Sequence, residues 1–226
     1  LRWLPPRSRV YCAGTGLFAQ AVMRCANEDR GRFTAGVSAQ AMNRASMPTL
    51  FQQILGAAFF GLAPCVRQLH GARAQVKYRG VASVERGSHP LAHLCARVAG
   101  LPAACKEVPT TVVFDVDPKG ETWRRNFGGR QMISTLIYRD GLLHERLGAL
   151  QFRFWLHVAD GALWWQVAGV RLFGILPLPV GLFQNVHCCE READGRYEFT
   201  VEAGMPLMGC IVRYAGWLEQ VPADAT

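Results

Sequence analysis

The chain has 226 residues, of which 50% are hydrophobic and 19% are charged, and its formal net charge is +8. This length and composition allow one large domain or two small ones with a sizeable core, and they exclude collagen-like, low-complexity and disordered proteins. Residues 1–48 carry seven Arg against two acidic residues, and the remainder is nearly balanced. Because the body has no run of basic residues, we do not expect it to bind nucleic acid.

The first 48 residues predict a weakly structured, Arg-rich extension. The stretch Gly14 to Ala19 matches the G-x-G-x-x-A turn that binds the phosphates of a dinucleotide. That fold also requires an acidic residue about 20 positions later, at the end of a second strand. Glu28 and Asp29 come too soon for this. We therefore interpret the match as a chance occurrence, and we predict no cofactor.

Helical patterns follow from residue 49 onward. The segments Thr49 to Gly61, Pro64 to His70 and Pro90 to Ala99 have apolar residues at helical spacing, with Pro near each start and Gly after each end. Between the second and third helices, Gln75 to Glu85 predicts a strand or a hairpin bent around Gly80.

After Pro109 the hydrophobic period changes to two residues, which is typical of strands. Nine strands are predicted, joined by short turns of which Asp140-Gly141, Asp160-Gly161 and Asp194-Gly195 are strong hairpin signals. The nine are Thr111–Asp117, Glu121–Phe127, Gln131–Arg139, Leu142–Leu147, Gln151–Ala159, Ala162–Phe173, Phe183–Glu192, Arg196–Ala203 and Cys210–Glu219.

These elements predict an α+β fold: a strongly curved antiparallel sheet or open β-barrel of about nine strands, with two to three helices near the start. The helices would plug one end or cover one face. We expect residues 49–221 to form a single domain and residues 222–226 to form a tail.

The apolar stretch Trp164 to Phe183 has the length of a membrane span, but it contains Gln166, Arg171 and two Pro. We interpret it as two buried strands joined by a turn, so no transmembrane segment is predicted. The eight Cys are too scattered for a disulfide framework, and the first residues lack the apolar segment of a secretory signal. The sequence therefore predicts a reduced, cytoplasmic protein.

Two short motifs suggest chemistry without establishing it. His89 and His93 lie four residues apart on a predicted helix, as zinc ligands do, but the Glu of a zinc-protease motif is absent. In His187-Cys188-Cys189, period two places His187 and Cys189 on one face and Cys188 on the other. We interpret His89 and His93 as two surface residues. In the second motif we expect a buried Cys188, with His187 and Cys189 at the surface. We therefore predict neither a metal site nor catalytic residues.

One strand predicts a ligand site. Gln151 to Ala159 has a clean apolar face, and its other face carries Arg153, Trp155 and His157. Arg171 follows on the next strand. If the curved sheet closes over a cavity, Arg153, Trp155, His157 and Arg171 would suit an amphipathic ligand with an anionic or carbonyl head group. The alternative is an aromatic-rich core with the Arg side chains lying outside it.

Five segments give the chain a family resemblance, which extends over residues 49–220. They are LFQQILGAAFFGLAPCVRQLHG (50–71), YRGVASVERGSHPLAHLCARVAGLP (78–102), WRRNFGGRQMIS (123–134), ERLGALQFRF (145–154) and VRYAGWLE (212–219). In these the chain resembles the bacterial Domain of Unknown Function 4166 family. The resemblance implies an accessory module, found alone or after a dinucleotide-binding oxidoreductase domain, and it supplies no catalytic residues.

Three functions remain open at this point. The first is an accessory module that binds an apolar or amphipathic small molecule in a sheet cavity, with a dinucleotide-dependent oxidoreductase as partner. The second is an enzyme that acts on a small apolar carbonyl or ester compound through His157 or His187. The third is a structural or partner-docking domain, which would expose a large apolar patch.

Overall fold

The structure is a computed structural model that describes residues 47–206 and 208–222. The Gly14–Ala19 turn, most of the predicted N-terminal extension and residues 223–226 of the predicted tail lie outside this part. The described elements are α1 (Leu50–Leu55), a 3₁₀ helix (Gly56–Gly61), α2 (Pro64–His70), β1 (Val76–Arg86), α3 (Pro90–Val98), β2 (Cys105–Asp117), β3 (Gly120–Phe127), β4 (Arg130–Arg139), β5 (Leu142–Leu147), β6 (Leu150–Ala159), β7 (Ala162–Leu172), β8 (Leu176–Leu178), a second 3₁₀ helix (Val180–Phe183), β9 (Asn185–Ala193), β10 (Arg196–Met205) and β11 (Gly209–Gln220).

Ten of the eleven strands form a closed antiparallel barrel. Each strand from β1 to β7 pairs with the next, β7 pairs with β9, and β9, β10 and β11 continue the ring until β11 pairs with β1. The predicted antiparallel meander is thus confirmed, whereas the strongly curved sheet or open barrel of about nine strands is in fact a closed barrel of ten. Closure results from the pairing of β1 with β11, whose residues lie more than 120 positions apart in sequence.

The β1 segment is one continuous strand and not a hairpin at Gly80. Gly80 pairs with Leu218 of β11. A Cβ at Gly80 would collide with the carbonyl of Trp217, so the glycine allows the two backbones to approach where the barrel closes.

The stretch Trp164 to Phe183 also differs from the prediction of two buried strands. It forms the end of β7, a turn, the short and mostly exposed β8, and a 3₁₀ helix. β8 pairs only with β7, outside the ring. No helix in the described ranges is long and apolar enough to cross a membrane.

The N-terminal helices close one end of the barrel. We call α1, the first 3₁₀ helix and α2 the plug, and we call the end that it closes the plugged end. The Ala63 N–H donates to the carbonyl of Gly161 at 2.8 Å, and the Cys65 N–H donates to the Glu192 carboxylate at 2.7 Å. Both acceptors lie at the β6–β7 and β9–β10 connections, where those strands reach the plugged end.

Phe51 anchors the plug in the barrel. Its side chain is fully buried, and its ring lies 3.7 Å from the His70 ring, 6.1 Å from Trp123 and 6.0 Å from Trp165. Thr49 caps α1 and donates from its hydroxyl to the His70 carbonyl, which ties α1 to α2. The core is therefore shared between the plug and the barrel wall.

The opposite end of the barrel lies under α3, and we call it the mouth. This helix buries Ala92 and Ala96 against Ile211 of β11. It presents Leu91, Leu94 and Val98 on its exposed side. The helix therefore covers part of the mouth without filling the barrel below it.

A stability measurement tests the role of the plug. Phe51→Ala should lower the free energy of unfolding by about 3–5 kcal/mol, because it removes a buried aromatic ring from a packed site. Phe60→Ala is the matched control; Phe60 lies in the same plug with 68% of its surface exposed, and its truncation should cost less than about 0.5 kcal/mol. Urea unfolding followed by Trp fluorescence measures both variants. Equal losses would contradict the assigned role of Phe51.

Candidate functional site

The barrel interior contains a cavity of about 330 Å³. It lies between the plug and α3, and most of its lining is aliphatic and aromatic. Trp123, Phe152, Phe154, Trp165 and Phe199 supply the aromatic surface. An eight-stranded barrel is nearly filled by its own side chains, and the diameter grows with strand number, so ten strands leave space for a ligand.

The wall of the cavity is incomplete near the mouth. β9 pairs with residues 163–166 of β7, whereas residues 170–172 of β7 pair with β8 outside the ring. The backbone hydrogen bonds between β7 and β9 therefore stop before these strands reach the mouth. Leu172, Leu178, Phe183 and Val186 line the cavity at this point. Phe183 is buried against Phe152 here, so the segment after β8 covers the gap in the ladder with side chains.

Three polar side chains form a chain of contacts on the inner wall. The Arg125 guanidinium lies 4.7 Å from the centre of the Trp123 ring, and its Nη1 donates to the Ser134 hydroxyl at 2.9 Å. Its Nη2 is 3.7 Å from Oε1 of Glu145. Both charged side chains are almost completely buried. The positive charge of Arg125 thus has a carboxylate partner inside the barrel.

A second buried pair joins the plug to the wall. Nε2 of His70, at the end of α2, lies 2.5 Å from Oε2 of Glu190 on β9. Glu190 also accepts a hydrogen bond from Tyr197, and burial together with this carboxylate raises the pKa of the Tyr197 hydroxyl well above its usual value. Glu190 lines the cavity, whereas His70 lies behind it against Phe51. The pair therefore holds a cavity-lining carboxylate in place.

Glu121 is a third buried carboxylate, two residues before Trp123 on β3. The Trp123 indole N–H donates to Oε2 of Glu121 at 2.8 Å. Burial raises the pKa of Glu121; this hydrogen bond and nearby His70 lower it in part, and Glu190 raises it further. The protonated form of Glu121 is therefore favoured in the folded protein relative to an exposed Glu.

Two other ionisable groups of the lining are held neutral. Burial raises the pKa of the Cys188 thiol far above its usual value, and Glu145 and Glu190 add to the rise. Burial likewise raises the pKa of Tyr214. Because a nucleophilic cysteine reacts as its thiolate, Cys188 contributes a neutral, weakly polar surface and not a reactive one.

One donor in the lining is unused. Trp165 lines the cavity, and its buried indole N–H has no hydrogen-bond partner among the described residues. A buried indole N–H is normally paired. The indole nitrogen itself is shielded from the cavity, so a ligand oxygen reaches it only when the ring moves.

The four residues predicted as ligand-binding lie outside the barrel. Phe152 and Phe154 point inward, so Arg153 points outward, and Trp155 and His157 are exposed on the same outer face. The His157 ring stacks on that of Trp164. Arg171 is exposed on β7, where a bulge between its residues 167 and 169 shifts the phase of the strand. None of the four lines the interior cavity, so their binding role stays a prediction.

Two of these residues share a small outer pocket of about 100 Å³. Arg153 and Arg171 line it together with Gln151, His144, Arg139 and Asp140. The Arg153 guanidinium lies directly over Gly169, which has no side chain to displace it. Burial and the neighbouring Arg153 and Arg139 lower the pKa of His144. The outer wall is thus locally electropositive.

The other motifs from the sequence have ordinary structural roles. His89 caps α3 by accepting the Leu91 N–H at its Nδ1, and His93 is exposed. His187 is exposed opposite Glu202, Cys189 lies on the same outer side, and Cys188 faces the cavity, as the alternation predicted. Within residues 47–206 and 208–222, no group of three or more His, Cys, Asp or Glu side chains is arranged to hold a metal ion.

Sequence reasoning missed the polar residues of the interior, although a signal was present for some. In β5, Glu145 lies between Leu143 and Leu147 on the apolar face. In β3, Arg125 occupies the same position between Trp123 and Phe127. An ionisable residue inside an otherwise apolar face indicates a buried polar group. The pairing of His70 with Glu190 had no such signal, because 120 residues separate them.

Comparison with known proteins identifies a family. The model of the family described as "Domain of unknown function (DUF4166)" matches residues 62–218, which is more than half of the chain. No curated protein matches the sequence. The crystal structure of Rv2717c from M. tuberculosis is similar with 14% identity and a TM-score of 0.39, and the match covers 71% of this chain and 99% of that one.

The buried Glu121 predicts a pH dependence of stability. Its pKa is raised in the folded protein, so its contribution is greatest below its ordinary value of about 4.5 and is lost as the pH rises through the folded value. Glu121→Gln removes the ionisable group, so the variant does not lose this stability as the pH rises. The side-chain carbonyl of Gln can still accept the Trp123 N–H. The free energy of unfolding of the variant should exceed that of the parent increasingly from pH 4 to pH 8. Urea unfolding across this range measures the difference, and parallel pH profiles would contradict the prediction.

Proposed function

The chain belongs to the DUF4166 family, and we propose that it binds an apolar or amphipathic small molecule inside its β-barrel. The observation that carries the proposal is the interior cavity of about 330 Å³, which is lined by aromatic and aliphatic side chains and reached from the mouth. Its volume is at the lower end of the range of small-molecule sites. Burial of apolar ligand surface would supply most of the affinity.

The polar groups of the lining support an uncharged head group. Arg125 is already paired with Glu145, while Cys188 and Tyr214 are neutral. A charged head group would lose its hydration on entering the cavity, and the charged side chains described there are already paired. Burying a charge in this way is costly. A carbonyl or hydroxyl oxygen would instead accept the unused N–H of Trp165, after a movement of the indole that turns its shielded nitrogen toward the cavity. We therefore narrow the proposed ligand to a neutral apolar compound with an oxygen acceptor.

The enzyme alternative has less support. His157 and His187, its candidate residues, are exposed on the outer face of the barrel and outside the cavity. A general base has to lie within hydrogen-bond reach of the bound substrate. An accessory role beside a dinucleotide-dependent oxidoreductase is compatible with a carbonyl or hydroxyl ligand, and this partner remains part of the proposal.

Filling the cavity tests the proposal directly. Ala203→Trp places an indole in the lining near the mouth and should weaken the binding of the neutral dye Nile red at least about tenfold, because the dye and the indole would occupy the same volume. Arg153→Gln, on the outer wall, is the control and should leave the affinity unchanged. Dye fluorescence titration gives both values, and thermal unfolding verifies that the variants are folded.

The two variants also separate the two candidate sites. Loss of binding in Arg153→Gln with full binding in Ala203→Trp would locate the ligand on the outer wall and reject the interior site. Because a single packing change can be absorbed, Val186→Trp provides a second obstruction at the gap between β7 and β9. Full dye binding in both obstructed variants would contradict the proposal.

The unused donor predicts a head-group preference. Trp165→Phe should weaken the displacement of Nile red by a long-chain methyl ketone roughly three- to tenfold, the effect of one hydrogen bond. Displacement by the alkane of the same length should change by less than about twofold, since no hydrogen bond is lost. Equal effects on ketone and alkane would show that the Trp165 N–H does not contact the ligand.

A further inference from the structure

Exposed apolar side chains are concentrated at the mouth of the barrel. Among residues 47–206 and 208–222, eight of the fifteen exposed large hydrophobic residues lie there, on α3 and on the segment from β7 to β9, and we call these eight the mouth surface. They are Leu91, Leu94, Val98, Phe173, Ile175, Leu176, Val180 and Leu182. Ile175 is 83% exposed and Phe173 is 68% exposed. Apolar side chains grouped in this way mark an interaction site more often than isolated ones do.

The two parts of the mouth surface are connected through the backbone. The Ala149 N–H donates to the carbonyl of Val98 at 3.2 Å, and the Phe173 N–H donates to the carbonyl of Ala149 at 2.6 Å. The β5–β6 turn therefore holds the end of α3 beside the β7–β8 hairpin. Leu94 and Val98 also line the cavity, so the mouth surface continues into the apolar interior.

The turn at Phe173 has a backbone conformation that a Phe residue disfavours. Phe173 and Gly174 have φ of 54° and 74°, close to the 51–54° and 73–77° of the three Asp-Gly turns at the other end. Asp tolerates positive φ through local hydrogen bonds, whereas a bulky residue there is strained. The remaining described non-glycine residue with positive φ is Glu107. An exposed Phe in this position does not help the fold, which favours a role in binding.

Charge distinguishes the two ends of the barrel. Within two residues of the strand connections at the mouth, the chain has six basic residues and one acidic residue, Glu85. The six are Arg86, Arg97, Lys106, Arg130, Arg146 and Arg171. The same distance around the four hairpin turns at the plugged end, with the plug and its connection to β1, includes six carboxylates and six basic residues. The apolar mouth surface is therefore surrounded by positive charge.

We propose that the mouth surface docks on an anionic lipid bilayer, with Phe173 and Ile175 inserted among the acyl chains and the surrounding Arg side chains facing the head groups. Apolar tips surrounded by basic residues match this chemistry, because membrane-surface attachment combines buried apolar area with attraction to anionic lipid. Docking would place the open end of the cavity against a phase that dissolves neutral apolar compounds. The inference goes beyond ligand binding and can be tested without a ligand.

The test compares two matched substitutions in the full chain. Phe173→Asp gives the β7–β8 turn the Asp-Gly sequence of the other three hairpins, so its thermal midpoint should equal or exceed that of the parent. Phe60→Asp changes another Phe with 68% exposure at the plugged end. Both variants retain the Arg-rich residues 1–46, so any contribution of that segment to vesicle binding is the same. The probe is sedimentation with vesicles of phosphatidylcholine containing phosphatidylserine.

The parent and Phe60→Asp should bind these vesicles, and Phe173→Asp should bind at least about tenfold more weakly. Ile175→Ser should also weaken binding. All variants should keep the Nile red affinity of the parent, which separates this inference from the proposed ligand site. Parent protein that does not sediment, or Phe173→Asp that sediments as well as the parent, overturns the inference. Self-association of the parent that Phe173→Asp abolishes, without vesicle binding, overturns it in favour of a protein interface.

Discussion

The width of the barrel is the constraint from which the other features follow. Ten antiparallel strands in a closed ring enclose more volume than their own inward side chains fill. The two halves of the barrel differ in what occupies this volume. Its N-terminal helices insert Phe51 and the His70 ring into one half, where they pack on Trp123. The other half remains open as the apolar cavity below α3. The packed core and the open cavity thus lie toward opposite ends of one barrel.

The buried polar pairs mark the boundary between these halves. His70 reaches from the plug to Glu190 on the wall, and Arg125 pairs with Glu145 further toward the mouth. Such pairs often contribute less to stability than apolar residues of the same size, because each charge loses its hydration. They are, however, directional, and they fix the position of the plug and the shape of the cavity floor. Removing one partner would leave the other buried without a counter-charge.

Much of the local structure was predictable from the sequence, because it depends on neighbouring residues. Period-two alternation identified the strands after Pro109, and three Asp-Gly pairs identified hairpins that the structure confirms. Closure was not predictable in this way, since β1 and β11 are far apart in sequence and Gly80 resembled a turn signal. Predicting the ligand site on β6 required knowing which face of a strand points inward. The clean apolar face was itself the inner one, so Arg153 and its neighbours lie outside.

The β7–β8 hairpin combines the features that make the mouth unlike the plugged end. β7 is long enough to pair with β9 through its first half and with β8 through its second. Because β8 pairs outside the ring, the backbone ladder between β7 and β9 is interrupted, and the β7–β8 turn lies outside the ring. A tip that lies outside the core gains little from burial in the folded monomer, yet this one carries Phe173 in a strained conformation and a largely exposed Ile175. The same displacement thus places the break in the ladder, beside the cavity, next to the apolar surface. A barrel that takes up poorly soluble compounds would need the two together, since its ligand would otherwise cross water to reach the opening.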